Sequence, residues 1–518
     1  MELHVKNIHM DRVKCQARTQ IALEDDINIA DVKPDVFSLV TEQGEVEIEE
    51  VRAMEDHVLV KGKLHFCILY LSDEDVRRPA GMEGTMAFEE RMFAKGMQNG
   101  DTVSTQGTVE DLSVGMINSR KLSVQALIRL QAWTEEMETT PVADGAESRG
   151  DVEMLRNPLE VLHLAIRKKD IFRVKKELEL PGGMPNIFQL LWKSCVLREI
   201  SFGVEEGLLQ LQGEAALFVF YEGEGENRPF LWYETTFPIQ GAVECQGMSG
   251  EMLENISCRI GHREVEVRPD EDGEDRKIGV DLVLDLDMKL YEELQTERLA
   301  DLYSVSKDME VETKTGTFKK LLAKNMGKCR VGGRIHIPGQ EGEIHRICMA
   351  AGEVLMDEAE PGAEGLLVRG TVETRVLYST KDPEMPFGGL KKSIPFSYLL
   401  EIPGRGEGVD SWRICPALEQ LQATVNDAND VEIKAMLSLK SFVCSSFREE
   451  VVTEVTEKEP NPARINALPG IVAYIAGEKD SLWSIGKRYY VPVQNLKEMN
   501  NLQGENIRAG EKLLIVKG

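Results

Sequence analysis

The chain has 518 residues, 42% of them hydrophobic and 29% charged, which is length for three or four domains and apolar side chain for several cores. Its formal charge of −28 excludes nucleic acid and anionic membrane surfaces as simple electrostatic partners, since both are polyanions. Residues 1–20 are charged throughout, and no run reaches the roughly 18 to 20 apolar residues that span a bilayer, so a cytoplasmic chain without direct membrane insertion is expected.

From the first residues to 469 the chain repeats itself. A strand carrying a glycine and, eight residues on, a tyrosine occurs at Gly62 and Tyr70, at Gly213 and Tyr221, and at Gly370 and Tyr378. Alternation along each strand (Val58, Val60, Leu64, Phe66, Ile68 in the first) predicts a half-buried strand of an antiparallel sheet. Eight is even, so glycine and tyrosine share the inward face. A glycine there predicts a bulge or close backbone packing rather than a ligand site. Val36, Ile187 and Ile344 each precede their glycine by 26 residues and follow a turn, Lys33-Pro34-Asp35 in the first copy and Met184-Pro185-Asn186 in the second. Downstream, Phe88, Phe237 and Phe396 open another strand. A turn (Asn118-Ser119, residues 270–275, residues 426–430) then leads to a last alternating strand.

The fold class expected is mainly β: three tandem β-sandwich or barrel-like repeats, with short helical pieces at the joints, then a small strand–helix–helix–strand domain. The domains are residues 1–147, 148–300 and 301–453, a proline-containing linker over 454–469, and a final unit over 470–518. Pro460, Pro462 and Pro469 make the linker semi-rigid, and few contacts are expected to cross it.

No reaction chemistry is legible. The eight histidines show no metal-ligand spacing, and His65 has Ala216 and Glu373 as its counterparts in the other copies. The acidic run 270–275 lacks the order of a calcium loop and reads as a charged hairpin turn. Residues 318–326, with Lys319, Lys320 and Lys324, could form a short basic helix connecting two repeats. No phosphate loop or nucleophile elbow is present, so no catalytic residue, metal or cofactor is expected. The nine cysteines sit singly in apolar runs, as Cys67 and Cys444 do, which predicts reduced thiols packed as small hydrophobes.

The last stretch differs in charge. From Gly470 onward seven Lys or Arg face five Asp or Glu, a balance of +2, which leaves −30 upstream. Residues 472–476 suit a strand. Asp480-Ser481 can cap a helix whose Leu482, Ile485 and Tyr489 share one face. A second helix follows Pro492, with Val493, Leu496 and Met499 on one side, and residues 512–516 close the unit as a strand.

These residues resemble a LysM domain: Tyr474, then Asp480-Ser481-Leu482-Trp483-Ser484-Ile485, Tyr489, Leu496, Asn500 and Ile507, then Gly510-Glu511-Lys512-Leu513. The resemblance implies a groove for N-acetylglucosamine-containing glycans between two loops. Here these are Lys479, Asp480, Ser481, Leu482 and Trp483, and Asn506, Ile507, Arg508, Ala509 and Gly510. Lys479 stands where the pattern has a glycine, which removes close backbone approach by a sugar and supplies a cation instead. The expectation is a groove turned toward protein, with Lys479 as charged contact and Leu482 and Ile507 as apolar ones. Gly486 replaces a helix-favouring alanine, at about 1 kcal/mol, and Tyr490 replaces a helix-ending glycine. Tandem glycine–tyrosine β units followed by one LysM resemble the SipL-type spore-coat morphogenetic proteins of clostridia. That resemblance implies a mother-cell cytoplasmic scaffold at the forespore surface, partnered by a SpoIVA-type coat morphogenetic ATPase.

Overall fold

The computed structural model describes all residues except 148–150, 338–342, 404–407, 428–429, 460–468, 505 and 517–518. The first repeat runs β1 (Leu3–Asn28), β2 (Val36–Met54), β3 (His57–Ser72), β4 (Pro79–Phe93), β5 (Val103–Asn118) and β6 (Lys121–Ala146). Its strands form two antiparallel three-stranded sheets, ordered β1-β6-β5 and β2-β3-β4. The second repeat has the same plan in β7 (Val152–Glu179), β8 (Ile187–Glu205), β9 (Leu208–Gly223), β10 (Phe230–Glu244), β11 (Leu253–Pro269) and β12 (Asp275–Ser304). So does the third, in β13 (Asp308–His336), β14 (Ile344–Gly362), β15 (Gly365–Thr380), β16 (Phe387–Glu401), β17 (Val409–Asp427) and β18 (Asp430–Lys458).

Among the described residues no ladder joins the two sheets of a repeat, so each is a sandwich. Its core is the inward alternate residues of both sheets, such as Val58, Leu64, Phe66 and Ile68 against Leu122, Val124 and Ile128.

The repeat glycines lie opposite bulges. The register slips between Ile48 and Glu50 across from Gly62, between Arg198 and Ser201 across from Gly213, and between Met356 and Glu358 across from Gly370. A Cβ on Gly62 or Gly370 would lie 2.3 Å from the carbonyl oxygen of Glu47 or Leu355; on Gly213 the nearest atom is the Ile200 methyl, at 2.4 Å. Backbone cannot yield as a methyl can. Valine at Gly62 or Gly370 should therefore cost about 1–3 kcal/mol or more, and at Gly213 clearly less, as read by urea unfolding. Phe88 and Phe396 stand directly opposite their glycines, inside β4 and β16 rather than at their start. In the second repeat Ile239 holds that place and Phe237 faces Ala215.

The tyrosines close the turns. Tyr70 donates to the Pro34 carbonyl at 3.0 Å and Tyr221 to that of Pro185 at 3.3 Å, and both rings are fully buried. Burial pushes both phenols up to about 12, so they remain donors at any ordinary pH. This bond ties the end of β3 to the turn before β2 and accounts for the fixed spacing. Tyr378 is equally buried. Arginines that sequence reading did not single out brace the same turns. Arg120 reaches the carbonyls of Ile29 and Lys33 and the Asp35 carboxylate, and Arg276 those of Leu180, Pro181 and Met184 and the Asn186 amide.

The strands are longer than expected, from 15 to 30 residues, and no helix joins the described parts of the repeats. β1 and β6, β7 and β12, and β13 and β18 stay paired well beyond the third strand of their sheet, so each sandwich extends into a two-stranded ribbon. Residues 294–302, which span the expected boundary between the second and third domains, lie inside β12. Residues 318–326, read as a basic helix, lie inside β13 and pair with β18, while Lys319 and Lys320 meet Asp11 and Glu160 of the other ribbons. The ribbons bulge at matching places, between Val13 and Cys15, between Leu164 and Ile166, and between Leu321 and Ala323.

Three ribbons pack as one stalk. Ile8, Met10 and Val142 meet Leu159 and Val161 of the second repeat and Phe318 and Val451 of the third. Beside them Lys289, almost fully buried, lies 2.9 Å from Asp11 and 2.7 Å from Glu135, and Lys319 lies 3.0 Å from Asp11. Burial alone would raise the Asp11 pKa; the two lysines outweigh it and hold the carboxyl well below the usual range.

The sheets built on β3, β9 and β15 close at the other end around a shared apolar centre. Val40, Leu191 and Cys348, each four residues after Val36, Ile187 and Ile344, meet there, as do Leu69, Phe220 and Leu377. A Cβ on Gly81 would lie 2.2 Å from the Leu191 carbonyl oxygen, and one on Gly389 1.8 Å from that of Val40. Glycine is needed there because one repeat's backbone presses on the next. At the matching place in the second repeat Trp232 lies under the Arg346 guanidinium. The three repeats thus form one body of approximate three-fold plan.

Each repeat starts and ends in its ribbon, so every connection between repeats, and the departure toward the last domain, falls at the stalk tip. All nine cysteines are free thiols. Among the described residues no helix is long and apolar enough to cross a membrane, and no group of His, Cys, Asp and Glu is placed to hold a metal ion. The acidic run 270–275 is a hairpin turn in which the Asp270 carboxylate accepts from the Asp272 and Glu274 amides.

Candidate functional site

The last domain pairs β19 (Ile471–Ile475) with β20 (Lys512–Val516) and places helices α1 (Leu482–Tyr489) and α2 (Val493–Met499) between them. Leu482, Ile485, Val491, Leu496, Leu513 and Ile515 fill its core. Ser481 caps α1 through a reciprocal pair of hydrogen bonds with Ser484.

Two loops flank the expected groove. In the first, the Asp480 carboxylate accepts from the Gly477 amide at 2.8 Å and the Tyr474 hydroxyl at 2.6 Å, and these bonds lower its pKa. Lys479 and Ser481 are exposed, and the Lys479 side chain has no hydrogen-bond or ion-pair partner among the described residues. In the second, the Arg508 amide is held by the Glu511 carboxylate, and Gly510, at φ 86°, donates to the Ala476 carbonyl at 2.7 Å. That bond joins the loops at their base. Asn506, Arg508, Ala509 and Gly510 face solvent and Ile507 is half-buried.

Two of the expected groove residues lie elsewhere. Leu482 is 1% exposed and belongs to the domain core, so it offers no apolar contact to a ligand. Trp483 turns to the stalk: its indole donates to Asp301 at 2.9 Å and its ring meets Tyr303 edge-on, centroids 4.9 Å apart. The six repeat glycines and tyrosines are inside the sandwiches, remote in role from the groove.

Trp483 is part of a stripe. With Gly486, Lys487 and Tyr490 it marks one face of α1 at helical spacing, and all four meet the stalk tip. Lys487 lies 2.6 Å from Asp301, and Tyr490 donates to Asp308. The Tyr303 hydroxyl enters over Gly486 and donates to the Val491 carbonyl at 2.8 Å; a Cβ on Gly486 would lie 2.5 Å from that oxygen. This explains the glycine within the helix. Tyr490 ends α1 at φ 57°, a left-handed conformation that a buried ring and the Asp308 bond make tenable. Sequence reading gave few contacts across the proline-containing segment because tertiary docking leaves no composition signal. The stripe itself was the available clue.

The chain matches the SipL, SPOCS domain over residues 35–117 and 343–426, and the LysM domain over residues 474–516. The first two segments are the turn and strands β2 to β5 of the first repeat and β14 to β17 of the third; β8 to β11 repeat the same order in the second. Both are non-catalytic domain families, one tied to sporulation and the other a glycan-binding type of module. No curated protein and no solved structure matches.

Proposed function

From a chain that joins SipL SPOCS domains to a C-terminal LysM domain, we propose a non-enzymatic scaffold of spore-coat assembly that works in the mother-cell cytoplasm at the forespore surface. The observation that carries this reading is a LysM domain docked on the three-repeat body through Trp483 and Lys487, with both loops in solvent. The partner proposed is a SpoIVA-type coat morphogenetic ATPase. Lys479 supports a protein partner over a sugar: it fills the place of close backbone approach and offers an exposed cation. Residues 477–481 and 506–510, without Leu482 and Trp483, make up the contact surface. A pull-down from sporulating cells tests this. The full chain should retain the ATPase, and Lys479→Glu should lose most of it while melting unchanged; equal recovery by the two would refute the assignment of the groove.

The second reading is N-acetylglucosamine glycan of wall or cortex, favoured by the match over 474–516 and by the exposed backbone of the second loop. On that reading Lys479→Gly raises affinity for N-acetylglucosamine oligomers.

A further inference from the structure

Between the apolar centre of the sheets and the stalk lies a chamber of about 880 Å³ to which all three repeats contribute. That volume suits a small organic ligand. Its walls carry six Lys or Arg against four Glu, a cationic excess inside a chain whose overall charge is −28.

Some of these charges are already matched. Lys328 pairs with Glu419 at 3.0 Å, and Arg129 with Glu110. The rest are not. Arg198 has no hydrogen-bond partner among the described residues. Arg259 makes one 3.4 Å bond to the Thr105 carbonyl, and Arg413 comes no closer than 3.8 Å to Asp287. Lys440 reaches only the Ile200 carbonyl. Each guanidinium carries five donors in a fork shaped for oxyanions, and leaving such donors unmet away from bulk water is costly. Burial, and then the neighbouring Arg413, lower the Arg259 pKa, and Asp287 and Asp285 offset this only in part. Glu353, a wall carboxylate of the third repeat, is moved by burial toward the neutral acid.

We infer that this chamber binds a small polyanion bearing carboxylate or phosphate groups, held by Arg198 and Arg259 of the second repeat and Arg413 and Lys440 of the third. Such a ligand bridges two repeats beneath the first and stabilises the three-repeat body by mass action.

The test is isothermal titration of the full chain with pyrophosphate and, separately, citrate at matched ionic strength, alongside thermal melting. One saturable site and a raised melting temperature with at least one anion are expected; which anion binds tells phosphate from carboxylate. Arg259→Met should weaken that binding at least ten-fold in a chain that still folds, as its circular dichroism reports. Arg198→Gln should weaken it too. No saturable heat with either anion, or binding that both variants keep within two-fold, would overturn the inference.

Discussion

Lys289→Ala should destabilise the chain by about 2–5 kcal/mol, because it removes the buried cation shared by Asp11 and Glu135 and leaves them only Lys319 and Arg167. Lys289→Met should cost nearly as much as the alanine, since it fills the volume but leaves the same two carboxylates without that cation. The sign of the pH dependence follows from Asp11. Its folded pKa is depressed, so its contribution is complete above the unfolded value of about 3.9 and is lost as pH falls through the lower folded value. In wild type the Asp11 contribution is intact at about pH 4, whereas in Lys289→Ala the carboxylates that lose this cation take up protons at higher pH, so the gap should be widest near neutral pH and narrow as pH falls. Urea unfolding between about pH 7 and about pH 3 reads both effects. A gap that did not narrow in acid would place the stabilisation elsewhere.

Asp301→Ala should release the LysM domain from the stalk without unfolding either. The carboxylate takes both the Trp483 indole and the Lys487 ammonium, so its loss removes two charge-assisted bonds, worth about 1.5–3 kcal/mol each when well buried and less here, where Lys487 is partly in water. Tyr303→Phe removes only the bond to the Val491 carbonyl and should do less. Amide hydrogen exchange in α1 should quicken in both variants, more in the first, with the exchange of β3, β9 and β15 unchanged. Identical α1 exchange in all three proteins would mean that the docking face carries no energy.

Much of the fold was legible because it is local. Alternation gave β3, β9 and β15 and their cores, and the interval from Val36 to Gly62 and on to Tyr70 recurs because a hairpin of fixed length is closed by one tyrosine hydrogen bond. Phe318 and its lysines read as a helix because the pattern was short and basic; the partners that make it a strand, Asp11 and Glu160, lie in other ribbons. The apolar centre on Leu69, Phe220 and Leu377 was hidden for the same reason. Leu69 interrupts the alternation of β3 in a sheet buried on both faces, which a single-faced reading does not anticipate. In the LysM domain the loops were placed by resemblance, but Leu482 and Trp483 were assigned to the groove before the core and the stalk could claim them.

The most direct test of the proposed scaffold is a titration of the full chain and Lys479→Glu against the purified coat morphogenetic ATPase and against chitohexaose. The account predicts saturable binding of the ATPase, at least ten-fold weaker in the variant and less sensitive to salt, and no saturable heat with chitohexaose. Tight chitohexaose binding, with the ATPase absent or indifferent to Lys479→Glu, would contradict it and return the groove to glycan.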